Sequence, residues 1–226
     1  MQNNNEWIDV RMFYTKTGFA KYISHLDMVR CFTRAMKRAK APIWFTQGFN
    51  PRAFLTFAMP LSLGFESYCE VVDFRITEKR NLDDLAKEID SQLPDTINVL
   101  KISTPNMKTD EIKYAKYEVT LPNSQDEFYK KVCDTMNSNE FLVSKKCKKG
   151  RQKIEKLVDI KENIIEYQID RLEDKIILKL LLSSGNENNI NPMLIVKNIC
   201  NGTDCDTDDA DIVKLQSLTE DMKEFN

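Results

Sequence analysis

One order of predicted secondary-structure elements occurs twice along this sequence, and the repetition restricts the possible folds more than any other feature. The predicted strands of the first half are residues 8–16, IWFTQ, LTFAM, CEVVDFRI and TINVLKIS. The predicted helices run from Ser24 to about Lys40 and over residues 82–93, where apolar side chains share one face. The order β-α-β-β-(β)-α-β is close to that of a ferredoxin-like unit.

A polar linker at residues 104–112 precedes a second half with a similar order. The predicted elements of this half are a strand at 117–121, a helix at 125–137, the strands FLVSK, KLVDI, IIEYQI and KIILKLLL, a helix from Asn191-Pro192, and the strand DIVKLQSL. We therefore predict an α+β fold of two tandem ferredoxin-like (βαββαβ) halves, with domains at residues 8–103 and 113–219. One larger α+β sheet is the alternative.

The composition predicts a globular protein of the cytoplasm without a membrane partner. Of the 226 residues, 42% are hydrophobic and 30% are charged. No apolar run reaches the roughly 18 residues that cross a bilayer, and the N-terminal segment lacks the features of a secretory signal. Six scattered cysteines without a CxxC pair, and a single histidine, argue against a metal site.

Motifs that define common enzyme classes are absent from the sequence. There is no Walker A loop, no GxGxxG and no GxSxG, so the motif evidence for an enzyme is weak. The CxxxCxxC cradle of a radical-SAM iron–sulfur cluster is also absent, so this chain is not expected to bind such a cluster by itself. We expect no cofactor.

Charge is strongly segregated along the chain, although the net charge is only -2. Residues 11–54 contain nine basic residues and one acidic residue, and residues 144–156 contain seven basic residues and one acidic residue. Residues 201–226 contain eight acidic residues and two basic residues. This segregation indicates an anionic partner for the basic segments.

The first predicted helix carries the only histidine of the chain. Ser24, with Asp27 three residues later, matches the S-x-x-[D/E] pattern of a helix cap. His25 would be the first helical residue, where the helix dipole favours the neutral imidazole that a general base requires. His25 also shares a stripe with Val29 and Phe32, which favours a packed ring. A catalytic role and a structural or ligand-contacting role both stay open.

Basic and aromatic residues of the first half predict an RNA site, because basic side chains bind phosphates and aromatic faces stack on bases. The predicted nucleic-acid-binding residues are Arg11, Arg30, Arg34, Arg38, Arg52, Lys146, Lys148, Lys149 and Arg151. The predicted pocket residues are Tyr22, Ser24, Asp27, Gln47, Phe49 and Asn50. We expect the arginines of the first helix to border a groove beside the GFNPR loop. A solvated helix surface, and a soluble lysine-rich hairpin tip, are the alternatives.

The segment from Lys21 to Ile76 resembles the radical-SAM-linked domain family of unknown function. The resemblance rests on the helix start SHLD, on QGFNP at residues 47–51, and on FAMPLSLGFES at residues 57–67. The family usually has His-Pro where this chain has Arg52-Ala53, which further argues against a metal site. The resemblance implies an accessory role beside radical-SAM proteins, often near ribosome or RNA-processing functions, and it implies no established activity.

The leading hypothesis is therefore an accessory subunit that binds or docks RNA, such as tRNA or rRNA, for a radical-SAM protein. One alternative is a metal-independent ribonuclease or transferase that uses His25. The other is a module for protein–protein interaction only.

Overall fold

The alternation of strands and helices is present in the computed structural model, which describes residues 7–149, 152–185 and 188–226, with backbone alone at 145–149 and 152–155. This part of the chain has a mixed α and β fold. Its helices are α1 (His25–Arg38), α2 (Leu82–Asp90), α3 (Asp126–Asn137) and α4 (Met193–Cys200). Its strands are β1 (Ile8–Lys16), β2 (Leu55–Phe57), β3 (Phe65–Ile76), β4 (Ile97–Ser103), β5 (Tyr114–Leu121), β6 (Leu142–Lys149), β7 (Gln152–Asp159), β8 (Ile164–Arg171), β9 (Ile176–Ser183) and β10 (Asp211–Leu218).

The first of two units extends to Glu111 and includes Phe225–Asn226. Its strands pair in the order β4-β1-β3, and β2 also pairs with β3. These pairings are antiparallel, and β1 and β3 align from Ile8 opposite Ile76 to Lys16 opposite Ser67. Helices α1 and α2 pack on one face of the strands, where β1 and β3 place an apolar side chain at every second residue. The core there includes Val10, Met12, Phe32, Met36, Phe74 and Leu85.

The second unit comprises Ile112–Glu224. Its strands pair in the order β10-β5-β9-β8, and these pairings are also antiparallel. Strands β6 and β7 form a separate two-stranded hairpin, as the sequence predicted for this lysine-rich segment. None of the helices in the described part of the chain is long and apolar enough to span a membrane.

Helix α1 begins and ends close to the predicted residues. Its last residue is Arg38, and Lys40 then adopts a left-handed backbone with a φ of 52°. The N–H of Ala41 donates to the carbonyl of Met36 at 3.0 Å, which is the bond that closes a helix C-terminus of this type. Pro42 follows and cannot continue the helix.

Two predicted elements of the first unit are wrong. Helix α2 ends at Asp90 and does not reach Leu93, because residues 92 and 93 turn back with bonds to carbonyls three residues earlier. IWFTQ forms isolated bridges and no strand. The N–H of Trp44 donates to the Arg75 carbonyl, whereas the Trp44 carbonyl accepts from Phe54, so the segment joins two different neighbours and builds no ladder.

Arg11, which the sequence assigned to RNA binding, lies in the interior. Its side chain is 1% exposed and donates two hydrogen bonds to the Asp73 carboxylate, at 2.7 and 2.9 Å. The guanidinium also lies 4.7 Å from the centroid of the Phe225 ring. A guanidinium that is 1% exposed cannot contact a phosphate, so Arg11 leaves the predicted anion-binding set and holds β1 to β3.

We predict that Asp73→Ala lowers the free energy of unfolding by about 3 kcal/mol or more, because it leaves a buried guanidinium without a counter-charge. Asp9→Ala is the matched control. Asp9 pairs with Arg75 across the same two strands at 2.8 Å, but its side chain is 58% exposed. That loss should stay below about 1 kcal/mol. Urea denaturation of both variants measures the difference, and equal losses would contradict the structural role of Arg11.

Candidate nucleic-acid interface

The start of α1 is held by a small network of polar side chains. The Ser24 hydroxyl accepts from the Asp27 N–H at 3.2 Å and donates to the Asp27 carboxylate at 2.7 Å. The other carboxylate oxygen accepts from Arg30 at 2.8 Å. These two hydrogen bonds, from Ser24 first and then from Arg30, lower the pKa of Asp27. The helix cap predicted from S-x-x-D is confirmed.

Arg30, Arg34 and Arg38 lie along one face of α1, opposite the face that buries Met28 and Phe32. This face and the turn after α2 form the two walls of an open groove with a volume of about 490 Å³. We call it the arginine groove. The residues that line it are Asp27, Arg30, Cys31, Arg34, Arg38, Gln92, Leu93 and Pro94.

Positive charge in the arginine groove is neutralised only in part. Arg30 pairs with Asp27, and Arg38 donates to the Gln92 carbonyl, which carries no net charge. Arg34 is exposed and, among the described residues, makes no hydrogen bond or ion pair. The groove therefore presents three guanidinium groups against one carboxylate. Its thiol adds no negative charge near neutral pH, because burial raises the pKa of Cys31 above its ordinary value.

The GFNPR loop lies on the other flank of α1. On that flank Lys37 lies over the Phe45 ring, with its Nζ 5.1 Å from the ring centroid. The loop is closed by the Thr46 N–H, which donates to the Arg52 carbonyl at 2.8 Å, and by the Arg52 N–H, which donates to the Thr46 hydroxyl at 3.1 Å. No residue from 47–52 lines the arginine groove.

The structure thus separates residues that the sequence analysis had grouped into one site. Gln47, Phe49, Asn50 and Arg52 are exposed on the loop, whereas Arg34 and Arg38 face the turn after α2. The second wall of the arginine groove is the turn after α2 and not GFNPR, so the groove expected beside the loop stays a prediction. Lys37 lies over the Phe45 ring and is not among the residues that line the groove.

His25 is exposed at the first turn of α1. Its ring packs edge-on against Phe57, with 4.9 Å between ring centroids. Among the described residues, His25 makes no hydrogen bond that would orient the ring for proton transfer. Within the same residues, no group of three His, Cys, Asp or Glu side chains is arranged to hold a metal ion.

A buried polar cluster supports the segment before α1, and sequence reasoning missed it. The Lys16 ammonium donates to the Ile23 carbonyl at 3.1 Å, and the Ser67 hydroxyl donates to Glu70 at 2.8 Å. Lys16, Ser67 and Glu70 are all buried. Burial lowers the pKa of Lys16, and the nearby Glu70 carboxylate opposes that shift. Only Ser67, the last residue of the FAMPLSLGFES segment, gave a sequence signal for this cluster, since Lys16 and Glu70 lie outside that segment.

Exposed apolar side chains surround the same junction. A 3-10 helix at Gly18–Tyr22 precedes α1, and the N–H of Gly64 donates to the Lys21 carbonyl at 2.8 Å. This bond ties the loop that carries Leu63 to the 3-10 helix. We call the exposed set the apolar rim, and it comprises Phe19, Tyr22, Leu26 and Leu63. Of these residues, only Tyr22 was a predicted site residue.

The second basic cluster cannot be placed in the site. Strands β6 and β7 pair through it, but the side chains of Lys146, Lys148 and Lys149 lie outside the described residues, as does Arg151. Their assignment to phosphate binding stays a prediction.

Comparisons with known proteins identify the family. Residues 10–192 match the family model described as "Uncharacterized protein conserved in bacteria (DUF2344)", and the chain belongs to this family. No curated protein matches the chain. A solved structure titled as an unknown protein from Galdieria sulphuraria is similar at 10% identity, over 92% of this chain and 98% of that chain, with a TM-score of 0.27.

We predict that Ser24→Ala lowers the free energy of unfolding by about 1 kcal/mol, because it removes the helix cap. Loss of the Ser24 hydrogen bond should also raise the pKa of Asp27 toward its ordinary value of 3.8. The lowered folded pKa stabilises the native state above the unfolded value, and this contribution is lost as the pH falls through the folded pKa. The difference in the free energy of unfolding between the wild type and Ser24→Ala should therefore become smaller as the pH falls through the folded pKa of Asp27.

Carboxyl NMR titration and urea denaturation at several pH values measure both effects. Ser24→Thr keeps a capping hydroxyl and is the matched control. If Ser24→Ala leaves the pKa of Asp27 unchanged, the network at the start of α1 is not formed in solution.

Proposed function

We propose that this protein is an accessory RNA-binding subunit that acts with a radical-SAM enzyme in the cytoplasm, in the modification or processing of tRNA or rRNA. The observation that carries the RNA-binding part is the exposed guanidinium of Arg34 in the arginine groove, for which the described residues supply no hydrogen bond or ion pair. The radical-SAM partner rests on the resemblance of the SHLD, QGFNP and FAMPLSLGFES segments. The cytoplasmic location rests on the composition.

Phosphate is the anion that this groove suits best. Guanidinium groups present planar, paired N–H donors that match phosphate oxygens, and they stay charged at every physiological pH. A run of arginines along an open groove suits a polyanion, because each side chain can meet a different phosphate. The basic first half, with nine basic residues and one acidic residue over residues 11–54, also favours a polyanionic partner for this unit.

We also propose that each unit is a ferredoxin-like fold, in domains at residues 8–103 and 113–219. In unit 1 the strands between β1 and β4 pair so that β3 lies next to β1 and β2 next to β3. Unit 2 has the same arrangement, with β5, β8, β9 and β10 in the corresponding roles and the hairpin β6–β7 inserted before β8. This order, with antiparallel neighbours throughout each unit, supports the proposal.

Arg34→Ala combined with Arg38→Ala should weaken RNA binding at least about tenfold at moderate salt, because the variant lacks two charge-assisted hydrogen-bonding groups for phosphates. The slope of log K against log salt should also become shallower by about 0.7 for each single-strand phosphate that is no longer neutralised. Fluorescence anisotropy with labelled tRNA and an rRNA fragment, at four salt concentrations, measures both quantities.

Lys79→Ala combined with Lys87→Ala is the charge-matched control. Both lysines are exposed in the same unit and neither lines the arginine groove. The control should leave affinity and salt slope close to those of the wild type. Equal effects of the two double variants would show non-specific attraction by net charge, and no effect of the arginine variant would refute the assignment.

The radical-SAM partner is tested separately by co-purification. We expect a radical-SAM protein to be recovered with the tagged chain from a bacterium that encodes both, and nuclease treatment should reduce recovery if RNA bridges the two. Recovery that is unchanged by nuclease, together with no RNA affinity of the purified chain, would instead establish a module for protein–protein interaction only.

A further inference from the structure

We propose that the arginine groove and the apolar rim form one continuous site for unpaired RNA, in which α1 holds successive phosphates while Phe19 and Tyr22 stack on exposed bases. This inference rests on the proposed RNA-binding function and deepens it, because it names the class of RNA and divides its recognition between two sets of side chains.

The first step is the continuity of the two surfaces. Leu26 of the rim lies four residues before Arg30, so the two side chains share one face of α1. The residue before the 3-10 helix that carries Phe19 and Tyr22 is bonded close to the other wall of the groove. The N–H of Thr17 donates to the Thr96 carbonyl at 2.9 Å, and Thr96 lies two residues after Pro94 of that wall. Leu26 of the rim also directly precedes Asp27, which lines the groove, so we place the junction of the two surfaces at the first turn of α1.

The second step is the spacing of the cations. Arg30, Arg34 and Arg38 follow one another every four residues, which separates their positions by about 6 Å along the helix axis. Neighbouring phosphates of an extended single strand are separated by a similar distance. One strand that runs along α1 can thus place a phosphate against each arginine. The second strand of a duplex would gain nothing from this single row.

The third step is the exposure of the two rings. The side chains of Phe19 and Tyr22 are 86% and 63% exposed. Side chains three residues apart in a 3-10 helix lie on the same side, so the two rings face the same region. The Nζ of Lys21 lies 5.4 Å from the Tyr22 ring centroid and adds a cation beside it. Stacking needs bases whose faces are free, and a duplex does not offer them.

The fourth step is the rigidity of this platform. Ala20, which lies between Phe19 and Tyr22 in the sequence, is buried, and the buried Lys16 ammonium donates to the Ile23 carbonyl. The N–H of Gly64 donates to the Lys21 carbonyl. Because the backbone under the rings is fixed before binding, stacking would cost little conformational entropy.

A protein partner is a weaker occupant for these rings on the charges present. The arginine groove is lined by three arginines, and Asp27, the one carboxylate among its lining residues, already pairs with Arg30. An apolar protein segment would leave the Arg34 guanidinium without a counter-charge at the border of the contact. A nucleic-acid strand supplies both a phosphate and a base at each step.

The test uses three labelled probes of about 12 nucleotides, a length within the range that single-strand sites cover. The probes are a mixed-sequence single-stranded RNA, the duplex of the same sequence, and a single strand of equal length without bases. The full chain should bind the single-stranded RNA at least about tenfold more tightly than either of the other probes, since only that probe offers free bases.

The variants separate stacking from charge. Phe19→Ala combined with Tyr22→Ala should weaken binding of the single-stranded RNA by about tenfold or more, with an unchanged salt slope. Binding of the probe without bases should not change. Phe19→Tyr combined with Tyr22→Phe keeps both rings and should restore the affinity. Leu100→Ala, an exposed apolar residue of β4 outside the groove, controls for general surface effects.

The outcomes distinguish this inference from the function on which it rests. If the chain binds none of the probes and neither tRNA nor rRNA, both proposals fail. If all three probes bind equally well and depend on Arg34 and Arg38, the RNA-binding function stands and the inference is overturned. If the alanine variant keeps its RNA affinity but no longer co-purifies with a partner protein, the rim binds protein, and the inference is again overturned.

Discussion

The hydrogen bond from the buried Lys16 ammonium to the Ile23 carbonyl is the contact on which the proposed site depends. It fixes the chain at the end of the 3-10 helix, one residue before the cap of α1. The ammonium is tolerated in the interior because the Glu70 carboxylate lies nearby, and Ser67 donates to that carboxylate. Strand β1, which ends at Lys16, thereby determines the position of the apolar rim and the start of the arginine face of α1. Removing the ammonium would leave both the apolar rim and the first turn of α1 without this anchor.

Helix periodicity then divides the functional residues between two flanks. Arg34 and Arg38 line the groove beside the turn after α2, whereas His25 and Lys37 contact aromatic rings and do not line the groove. The family resemblance spans both flanks, since SHLD lies on the helix and QGFNP lies on the loop. The GFNPR loop is closed by its own Thr46–Arg52 hydrogen bonds and projects Phe49 into solvent. The two flanks therefore present separate surfaces for contact with a ligand or partner.

Local signals were predictable from the sequence where neighbouring residues decide them. The cap at Ser24 depends on atoms within three residues, and the end of α1 depends on residues 36–42. Long-range partners were not predictable. Arg11 has the same residue type as Arg34, but Asp73, 62 positions away, makes it a buried structural residue. The segment at 43–47 has strand composition, and it fails to form a strand because its neighbours are two different segments.

The sequence by itself determined most of the elements, their order, and the arginine face of α1, because apolar periodicity and capping act over a few residues. Tertiary structure alone decided which of the basic residues reach solvent together. It placed the turn after α2 opposite Arg34 and Arg38, and it moved the GFNPR loop to the other flank. The physical reason is that a groove needs two walls. Residues 92–94 reach α1 because α1 and α2 pack side by side on the strands of the first unit, and no local sequence pattern shows this.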